Sequence, residues 1–383
     1  MAGGLRRIET DVVVVGLGAM GSQALWALAR RGVDAVGVEQ FEPGHARGSS
    51  HGGSRIIRTA YFEGAGYVPL VRRSWQLWRE LEAESGASLL TATGIVNLAP
   101  AGTALLTGAL DAARAHDLPV ERIGAGEIRA RWPQHLIGDD VAAVVEREGG
   151  VLAPERAIVA GVEAARRRGA RTVTEATVGA VERHGEVMHV TGGGLDVRAR
   201  HVVVTTGAWI GHLVPAVAAS VRVIRRVVGW FAVGDPVAYA SDRFPVFIRD
   251  DGDGPIWYGF PTLDGATLKL AAHTGSGSDE PADPVAGVRP PDEKDADALA
   301  RLAARLRGLG TEPVRMASCM YAMTPDEHFL VGQRADLPGV TLLGGFSGHG
   351  FKFATALGEA AAELAVDGRT GAPIGPFDPH RFG

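Results

Sequence analysis

The chain has 383 residues, of which 46% are hydrophobic and 22% are charged, and its formal net charge is −5. This is the composition of an ordinary globular protein, long enough for two or three structural units with an ample core. The absence of a basic excess excludes nucleic acid as the main partner, and the absence of an apolar run of about 18 residues excludes a membrane span.

The first predicted element is a buried strand at residues 11–16, because a continuous β-branched run is typical of a strand covered on both faces. A glycine-rich turn follows, then a helix over about 19–31 and a second strand at 34–39. The chain therefore opens with a βαβ unit. Helical patterning continues around residues 67–85, 103–116 and 154–168.

The middle of the chain is rich in predicted strands. Residues 172–205 are predicted to form a β-meander, and period-2 alternation predicts mostly antiparallel strands over 221–272. The last predicted elements are a helix over about 295–308, a strand at 340–345 and a helix at 354–366.

The order of these elements predicts an α/β protein with two domains of the α+β kind. A discontinuous Rossmann-type domain is expected over residues 1–90, 150–215 and 314–383. A mostly antiparallel substrate domain is expected over residues 91–149 and 216–313.

The turn after the first strand predicts a dinucleotide site. Gly16, Gly18 and Gly21 form a GxGxxG pattern that allows a tight turn, a close approach to a pyrophosphate and close packing of helix on strand. Glu39 ends the second strand, where an acid binds ribose hydroxyls and disfavours a 2′-phosphate. The pattern therefore disfavours NADP, whereas NAD and FAD share it and both stay open.

The basic residues are divided unevenly, since 36 of the 39 are Arg and only Lys269, Lys294 and Lys352 are Lys. A lysine in such an arginine-rich chain suggests a function that needs a compact ammonium group. Chance is an equally good explanation for any one lysine. The single cysteine, Cys319, cannot form an intramolecular disulfide, which predicts a reducing cytoplasm. Residues 1–10 lack the apolar stretch of a signal peptide.

Three further clusters carry chemistry-bearing residues: the loop SSHGGSRIIR at 49–58, the segment CMYAMTPDEHF at 319–329, and GFSGHGFKF at 345–353. Together with the GxGxxG turn, YVPL (67–70), WYGFP (257–261) and LKLAAH (268–273), they resemble the monomeric sarcosine oxidase and N-methyltryptophan oxidase family of FAD amine oxidases. The resemblance covers nearly the whole chain. It implies a discontinuous FAD-binding domain, an antiparallel substrate domain, and FAD as the cofactor, with no metal.

The resemblance also implies roles for single residues. Cys319 matches the cysteine that is covalently bound to the flavin, and a lone cysteine outside such a motif is more often a small buried hydrophobe. Arg58 and Lys352 match the pair that holds the substrate carboxylate. Lys269 matches a lysine beside the flavin that is associated with oxygen activation. Without the family, Lys269 in a strand favours an outward-facing charge.

Other positions are implied less directly. His273, Tyr258 and Tyr321 match residues of the substrate pocket, and His273 is the least secure of these. The remaining cofactor positions implied by the family are Ser50, His51, Arg55, Val178, Gly348 and Gly350. The sequence departs from its relatives at Gly53 and Thr59, where Asp and His are common, and in the acidic loop 250–255. The pocket lining around Ile248 has no assignment from sequence.

The resemblance implies an oxidase that converts a secondary, N-methyl amino acid into an imine, which water hydrolyses to the amino acid and formaldehyde, while O2 becomes hydrogen peroxide. The expected partners are a small amino-acid substrate and O2, and a monomer is expected. Two alternatives stay open: an oxidase of a cyclic secondary amino acid of the proline or pipecolate type, and a dehydrogenase that passes electrons to a protein acceptor. A flavin-binding protein without turnover is the alternative outside enzymes.

Overall fold

The computed structural model describes residues 6–273 and 279–383. Its centre is a six-stranded sheet in which all pairings except the last are parallel. The strands, in spatial order, are Arg171–Val173, Ala35–Val38, Val12–Val15, His201–Val204, Val340–Gly344 and Leu330–Gln333. The βαβ unit predicted at the start of the chain is confirmed, with its helix at Ala19–Arg30.

The predicted β-meander is right only in its middle. Strands Ala180–His184, Val187–Gly192 and Leu195–Ala199 pair antiparallel in a separate four-stranded sheet, which Arg6–Glu9 completes in parallel to the last of them. The segments at either end of 172–205 belong instead to the six-stranded sheet. His201–Val204 is apolar enough to be covered on both faces, which favours a central position between parallel strands.

An eight-stranded, mostly antiparallel sheet forms the second large layer. Its order is Leu309–Met323, Arg222–Val233, Thr267–Ala272, Trp257–Gly259, Val246–Arg249, Ile95–Pro100, Val141–Glu146 and Val120–Gly124. The expected antiparallel strands of 221–272 are therefore present. The long strand Leu309–Met323 crosses the predicted domain boundary at residue 314 while it stays paired with Arg222–Val233. A small third sheet joins Arg55–Ile57, Gly150–Leu152 and Leu90–Ala92.

Helices cover the parallel sheet and cap the antiparallel one. The α-helices are Ala19–Arg30, Val68–Ser85, Ala104–His116, Ala125–Arg131, Pro154–Arg167, Ile210–Leu213, Glu293–Ala303 and Ala354–Asp367. The short 3-10 helices are Ala65–Tyr67, Gly207–Trp209, Pro215–Ser220, Phe351–Phe353, Gly375–Phe377 and Pro379–Phe382. The helix predicted at 295–308 begins earlier, because Asp292 and Asp295 form a reciprocal capping box at its N-terminus.

The main core lies where helices Ala19–Arg30, Pro154–Arg167 and Ala354–Asp367 pack together against the parallel sheet. Gly161 and Gly358 permit this packing, since a Cβ at either position would lie 2.7 Å or less from atoms of Gln23. Within the described residues, no helix is both long enough and apolar enough to cross a membrane. Residues 1–5 of the segment tested for a signal peptide lie outside the described residues.

Candidate active site

A cavity of about 420 Å³ lies between the carboxyl ends of the parallel strands and one face of the antiparallel sheet. In open α/β sheets, ligands bind at this edge of the strands. The sequence-predicted residues that line the cavity are Gly16, Gly18, Glu39, Ser50, His51, Arg55, Arg58, Val178, Tyr258, His273, Cys319, Tyr321, Gly348, Gly350 and Lys352. Gly21 and Lys269 are not among its lining residues.

The three glycines of the first turn have different surroundings. Gly16 has a left-handed φ of 89°, and a Cβ there would lie 2.8 Å from the Thr205 carbonyl oxygen. A Cβ on Gly21 would lie 1.8 Å from the carbonyl oxygen of Gly16, so Gly21 serves helix-on-strand packing rather than ligand contact. A Cβ on Gly18 would meet no atom within 4 Å from the rest of the described chain. Gly18 faces the open cavity, where a ligand can approach its backbone closely.

Glu39 is held by the turn that it follows. Its carboxylate accepts hydrogen bonds from the Leu17 N–H at 2.7 Å and the Phe41 N–H at 3.0 Å. Burial raises the pKa of Glu39, and these backbone donors oppose the rise. The side chain of His45, which the sequence did not suggest as a site residue, lies 3.6 Å from the same carboxylate and also lines the cavity.

The glycine-serine loop at 48–54 is fixed from two sides. The Glu155 carboxylate accepts the N–H groups of Gly52 at 2.6 Å and Gly53 at 3.1 Å. From the other side, Lys269 Nζ donates to Gly52 O at 2.8 Å and to Ser54 O at 3.0 Å. Glu155 was not singled out from the sequence, although its place in the first turn of a helix is typical of an acid that binds backbone donors.

Lys269 also donates to Ser54 Oγ at 3.1 Å, so three oxygens surround its three donors. The ammonium lies 5.0 Å from the ring centre of Phe260 and 5.6 Å from that of Trp230. Burial lowers the pKa of Lys269 well below its ordinary value, and Arg55 lowers it further. The three oxygen acceptors oppose this effect and suit an ammonium, so Lys269 is an inward-facing cation behind the loop, which excludes the outward-facing alternative.

Arg58 has a carboxylate partner that the sequence did not suggest. Its guanidinium donates to both oxygens of Glu63, at 2.7 and 2.5 Å, and lies over the rings of Tyr61 and Phe62 at 4.1 and 4.3 Å. Burial alone raises the pKa of Glu63, but Arg58 and the other cations lower it to about 2. Glu63 is therefore an anion that lines the cavity beside Arg58. An acid five residues after a predicted anion-binding Arg was the available signal.

Lys352 also lies next to Tyr61. Its Nζ is 4.9 Å from the centre of the Tyr61 ring and donates to the Tyr61 hydroxyl at 3.3 Å. The pKa of Lys352 is lowered to about 7, mainly by burial. Arg58 acts in the same direction, and Glu63 opposes the decrease. Arg58 and Lys352, far apart in sequence, thus lie against the same aromatic ring, and both line the cavity.

The face of the antiparallel sheet contributes polar aromatic residues. The His273 imidazole lies 3.5 Å from the Tyr321 hydroxyl, and its ring centre is 6.4 Å from that of Tyr258. Burial lowers the pKa of His273 to about 4, so this side chain is neutral near pH 7. A Cβ on Gly348, whose φ is 83°, would lie 2.2 Å from the Tyr321 ring, so glycine is required there.

Cys319 pairs with Arg226 on the neighbouring strand, and both side chains line the cavity. Its sulfur lies 3.6 Å from the carbonyl oxygen of Ser49 in the glycine-serine loop. Ile248, which the sequence left unassigned, lines the cavity as well. No residue of the acidic loop 250–255 is among the lining residues of the cavity. Within this loop, Asp251 accepts from Arg249 at 2.6 Å and from the Trp257 indole at 2.9 Å.

The cavity fits an extended dinucleotide. It runs from Gly18 and Glu39 at one end to Tyr258 and Lys352 at the other. Two buried lining atoms, His51 Nε2 and Thr206 Oγ1, have no hydrogen-bond partner among residues 6–273 and 279–383. Such atoms are typical of a site whose partners come from a ligand. No cluster of three potential metal ligands occurs in the same described residues.

Residues 11–364 match the family model described as DAO, FAD dependent oxidoreductase. The chain is 37% identical to monomeric sarcosine oxidase from Streptomyces avermitilis, with 97% of each chain covered. It is 35% identical to N-methyl-L-tryptophan oxidase from Yersinia pestis (strain Pestoides F), with 98% of this chain and 100% of that protein covered.

Solved structures share the fold. NikD, an unusual amino acid oxidase essential for nikkomycin biosynthesis, aligns with a TM-score of 0.85 at 23% identity and 97% coverage of both chains. L-proline dehydrogenase from P. horikoshii aligns with a TM-score of 0.84 at 22% identity and 98% coverage of both. The chain therefore belongs to the FAD dependent oxidoreductase family and, within it, to the group that contains monomeric sarcosine oxidase and N-methyl-L-tryptophan oxidase.

Proposed function

We propose that this protein oxidises N-methyl amino acids and uses O2 as the electron acceptor. The observation that carries the substrate class is the pair of cations at the cavity wall, with Arg58 at 4.1 Å and Lys352 at 4.9 Å from the centre of the Tyr61 ring. A planar guanidinium and a point-charge ammonium together suit a small carboxylate. The names of the related oxidases support an N-methyl amino group on the same substrate.

When bound, FAD would supply the two-electron redox chemistry that links substrate oxidation to O2. Gly16, Gly18 and Glu39 are proposed to hold its pyrophosphate and ribose, and Val178 to lie against it. Ser50, His51 and Arg55 are proposed to hold the flavin end together with Gly348 and Gly350. The positive end of helix Ala354–Asp367, two residues after Lys352, favours negative charge at that end of the cavity.

The chain's own residues orient the substrate. Arg58 and Lys352 bind the carboxylate, which places the amine beside Tyr258, Tyr321 and His273. This makes the reaction effectively intramolecular. A neutral His273 does not repel a cationic product, and it can accept a hydrogen bond from the amine. The apolar lining excludes water from this end of the cavity until the product leaves.

The covalent attachment of FAD to Cys319 is a further part of the proposal. Wild-type protein denatured in acid is expected to keep its yellow colour, because a thioether survives unfolding, whereas the Cys319→Ala variant is expected to release all of its FAD. The measurement is flavin absorbance in the precipitate and in the supernatant. Complete release of FAD from the wild-type protein would contradict the linkage.

The proposal also covers the oligomeric state, the cellular location and the division into domains. The name of monomeric sarcosine oxidase supports a monomer, and the single cysteine supports a cytoplasmic location. The two sheets support a division into an FAD-binding domain (1–90, 150–215, 314–383) and a substrate domain (91–149, 216–313). On this division the strand Leu309–Met323 crosses the boundary at residue 314, although all of it, including Cys319, pairs within the antiparallel sheet.

The substrate class is tested by a panel of N-methyl amino acids assayed for hydrogen peroxide. Each is matched with its carboxamide, which keeps the amine and the side chain but removes the negative charge. The acids are expected to turn over at least ~100-fold more efficiently in kcat/KM than their amides, since each amide loses charged hydrogen bonds to two cations. Equal turnover of acids and amides, or turnover of proline and pipecolate alone, would contradict the proposal.

A further inference from the structure

A chain of hydrogen bonds starts at Lys352 and ends on a backbone carbonyl. Lys352 Nζ donates to the Tyr61 hydroxyl at 3.3 Å and to the carbonyl oxygen of His349 at 2.8 Å. The Tyr61 hydroxyl lies 2.6 Å from His349 Nδ1, and His349 Nε2 lies 3.0 Å from the Glu327 carbonyl oxygen. All four groups belong to motifs that the sequence singled out or to the loop beside them.

The direction of every bond in this chain follows from its last member. A carbonyl oxygen only accepts, so His349 Nε2 carries the hydrogen. Burial lowers the pKa of His349 to about 3, so the ring is neutral and its Nδ1 is an acceptor. The Tyr61 hydroxyl therefore donates to Nδ1, and its oxygen is left to accept from Lys352. Burial raises the pKa of Tyr61 well above its ordinary value, which keeps this hydroxyl intact.

Packing holds the two rings in place. Tyr61 is fully buried, and its ring centre lies 5.3 Å from that of Phe353. The His349 ring lies 4.8 Å from the ring of Phe329. Glu327, whose carbonyl oxygen is the last acceptor of the hydrogen-bond chain, has a left-handed φ of 60° that turns the backbone at this point. The arrangement joins the segment at 319–329 to the one at 345–353.

The charged and titratable groups around Lys352 come from several elements. Arg58 and Glu63 face Lys352 from the loop after strand Arg55–Ile57. Arg58 lowers the pKa of Lys352, and Glu63 raises it. His273 faces His349 from the antiparallel sheet and is neutral. Within the described chain, Tyr61 and the His349 carbonyl are the acceptors of the ammonium. An ammonium has three donors, so one remains for a ligand in the cavity that Lys352 lines.

We propose that Tyr61 and His349 are positioning residues, which keep Lys352 charged and aim its third donor at the substrate carboxylate. The proposal rests on the carboxylate site of the proposed function. Tyr61 is an obligatory acceptor because its own proton is committed to His349, and an acceptor of this kind stabilises the ammonium against burial. His349 acts through Tyr61 and supplies its backbone carbonyl as the second acceptor.

The test measures the binding of acetate to the FAD-loaded protein by calorimetry between pH 6 and pH 9. The variants are Tyr61→Phe and His349→Leu, with Lys352→Met as the reference for loss of the cation. Tyr67→Phe is the matched control: its ring packs 4.9 Å from that of Tyr61, but its hydroxyl bonds His328 at 2.6 Å instead. Flavin absorbance and the melting temperature establish that each variant is folded.

Acetate binding to the wild-type protein is expected to weaken as the pH rises through the Lys352 pKa of about 7, because the ammonium is lost. Tyr61→Phe removes an acceptor from the charged form, so the weakening begins at lower pH, and affinity at pH 8 falls by about 10-fold. At pH 6 the loss is only about 2-fold, since Lys352 is then mostly charged in the wild-type protein and still about half charged in the variant. His349→Leu shifts the profile in the same direction, and Tyr67→Phe leaves it unchanged.

Two failures are distinguishable. If Lys352→Met binds acetate as the wild-type protein does at every pH, the carboxylate site itself is wrong and the proposed function loses its support. If Lys352→Met abolishes the pH dependence but Tyr61→Phe has the same profile as Tyr67→Phe, the carboxylate site stands and the positioning role is wrong.

Discussion

Replacing Arg58 by Met is expected to raise KM for an N-methyl amino acid by at least ~100-fold, with a smaller change in kcat. The substitution removes a bidentate partner of the carboxylate. It also leaves Glu63, which Arg58 contacts at 2.7 and 2.5 Å, as a buried anion without its main counterion. The first effect removes an attraction for the substrate carboxylate, and the second adds a repulsion. Steady-state kinetics with an acid and its matched carboxamide measure the change, and KM for the amide should move little.

The variant Glu63→Gln is the control, because it is expected to change KM in the opposite direction. The Glu63 carboxylate already accepts from Nη2 of Arg58, so a substrate carboxylate has to compete with it for that nitrogen. Glu63→Gln removes the competing charge and is expected to lower KM, and adding it to Arg58→Met should recover part of the loss. An unchanged KM in Arg58→Met would remove Arg58 from the carboxylate site. A KM raised equally by Glu63→Gln would make the ion pair itself the binding unit.

Replacing Lys269 by Met is expected to slow the reaction of the reduced protein with O2 by ~100- to 1000-fold, the cost of losing one preorganised charge. The anaerobic reduction by substrate should change by much less. Lys269 is buried, its three donors are held by Gly52 and Ser54, and it lies behind the loop that carries His51. A fixed cation in this place stabilises negative charge that develops on oxygen. Stopped-flow absorbance of the flavin separates the two half-reactions.

Lys269 also holds the loop, so its removal has a structural effect that needs a control. Glu155→Gln weakens the other attachment of the same loop, at Gly52 and Gly53, and keeps the Lys269 cation. This variant should affect both half-reactions to a similar, small extent. If Lys269→Met behaves in the same way, with equal loss in both half-reactions, the lysine acts only on the loop and has no part in oxygen activation.

The beginning of the chain could be predicted from sequence because its signals are local. Gly16, Gly18 and Gly21 follow a β-branched strand, and their roles in the turn and the packing depend on backbone geometry within a few residues. The strand at residues 309–323 was missed because it contains Gly310 and Pro313 and has irregular alternation. Its place is set by pairing with Arg222–Val233, a contact between segments far apart in the chain.

Within the site, sequence reasoning found the cations and missed their partners. Arg58, Lys269 and Lys352 stand out by residue type, whereas Glu63, Glu155 and Tyr61 look ordinary until the fold brings them into contact. The buried state of these groups depends on tertiary packing, so their pKa values could not be predicted either. The acidic loop 250–255 stood out only as a departure from the relatives, and the partners of its Asp251, Arg249 and Trp257, are seen only in the fold.

The most direct test of the account is the ratio of formaldehyde to hydrogen peroxide formed from one N-methyl amino acid. The wild-type protein, loaded with FAD and supplied with O2, is expected to form the two products in equal amounts, with one demethylated amino acid for each. Peroxide without formaldehyde would show that a bond other than N–CH3 is oxidised. Formaldehyde without peroxide, with rapid reduction of an added dye, would show that electrons go to an acceptor other than O2.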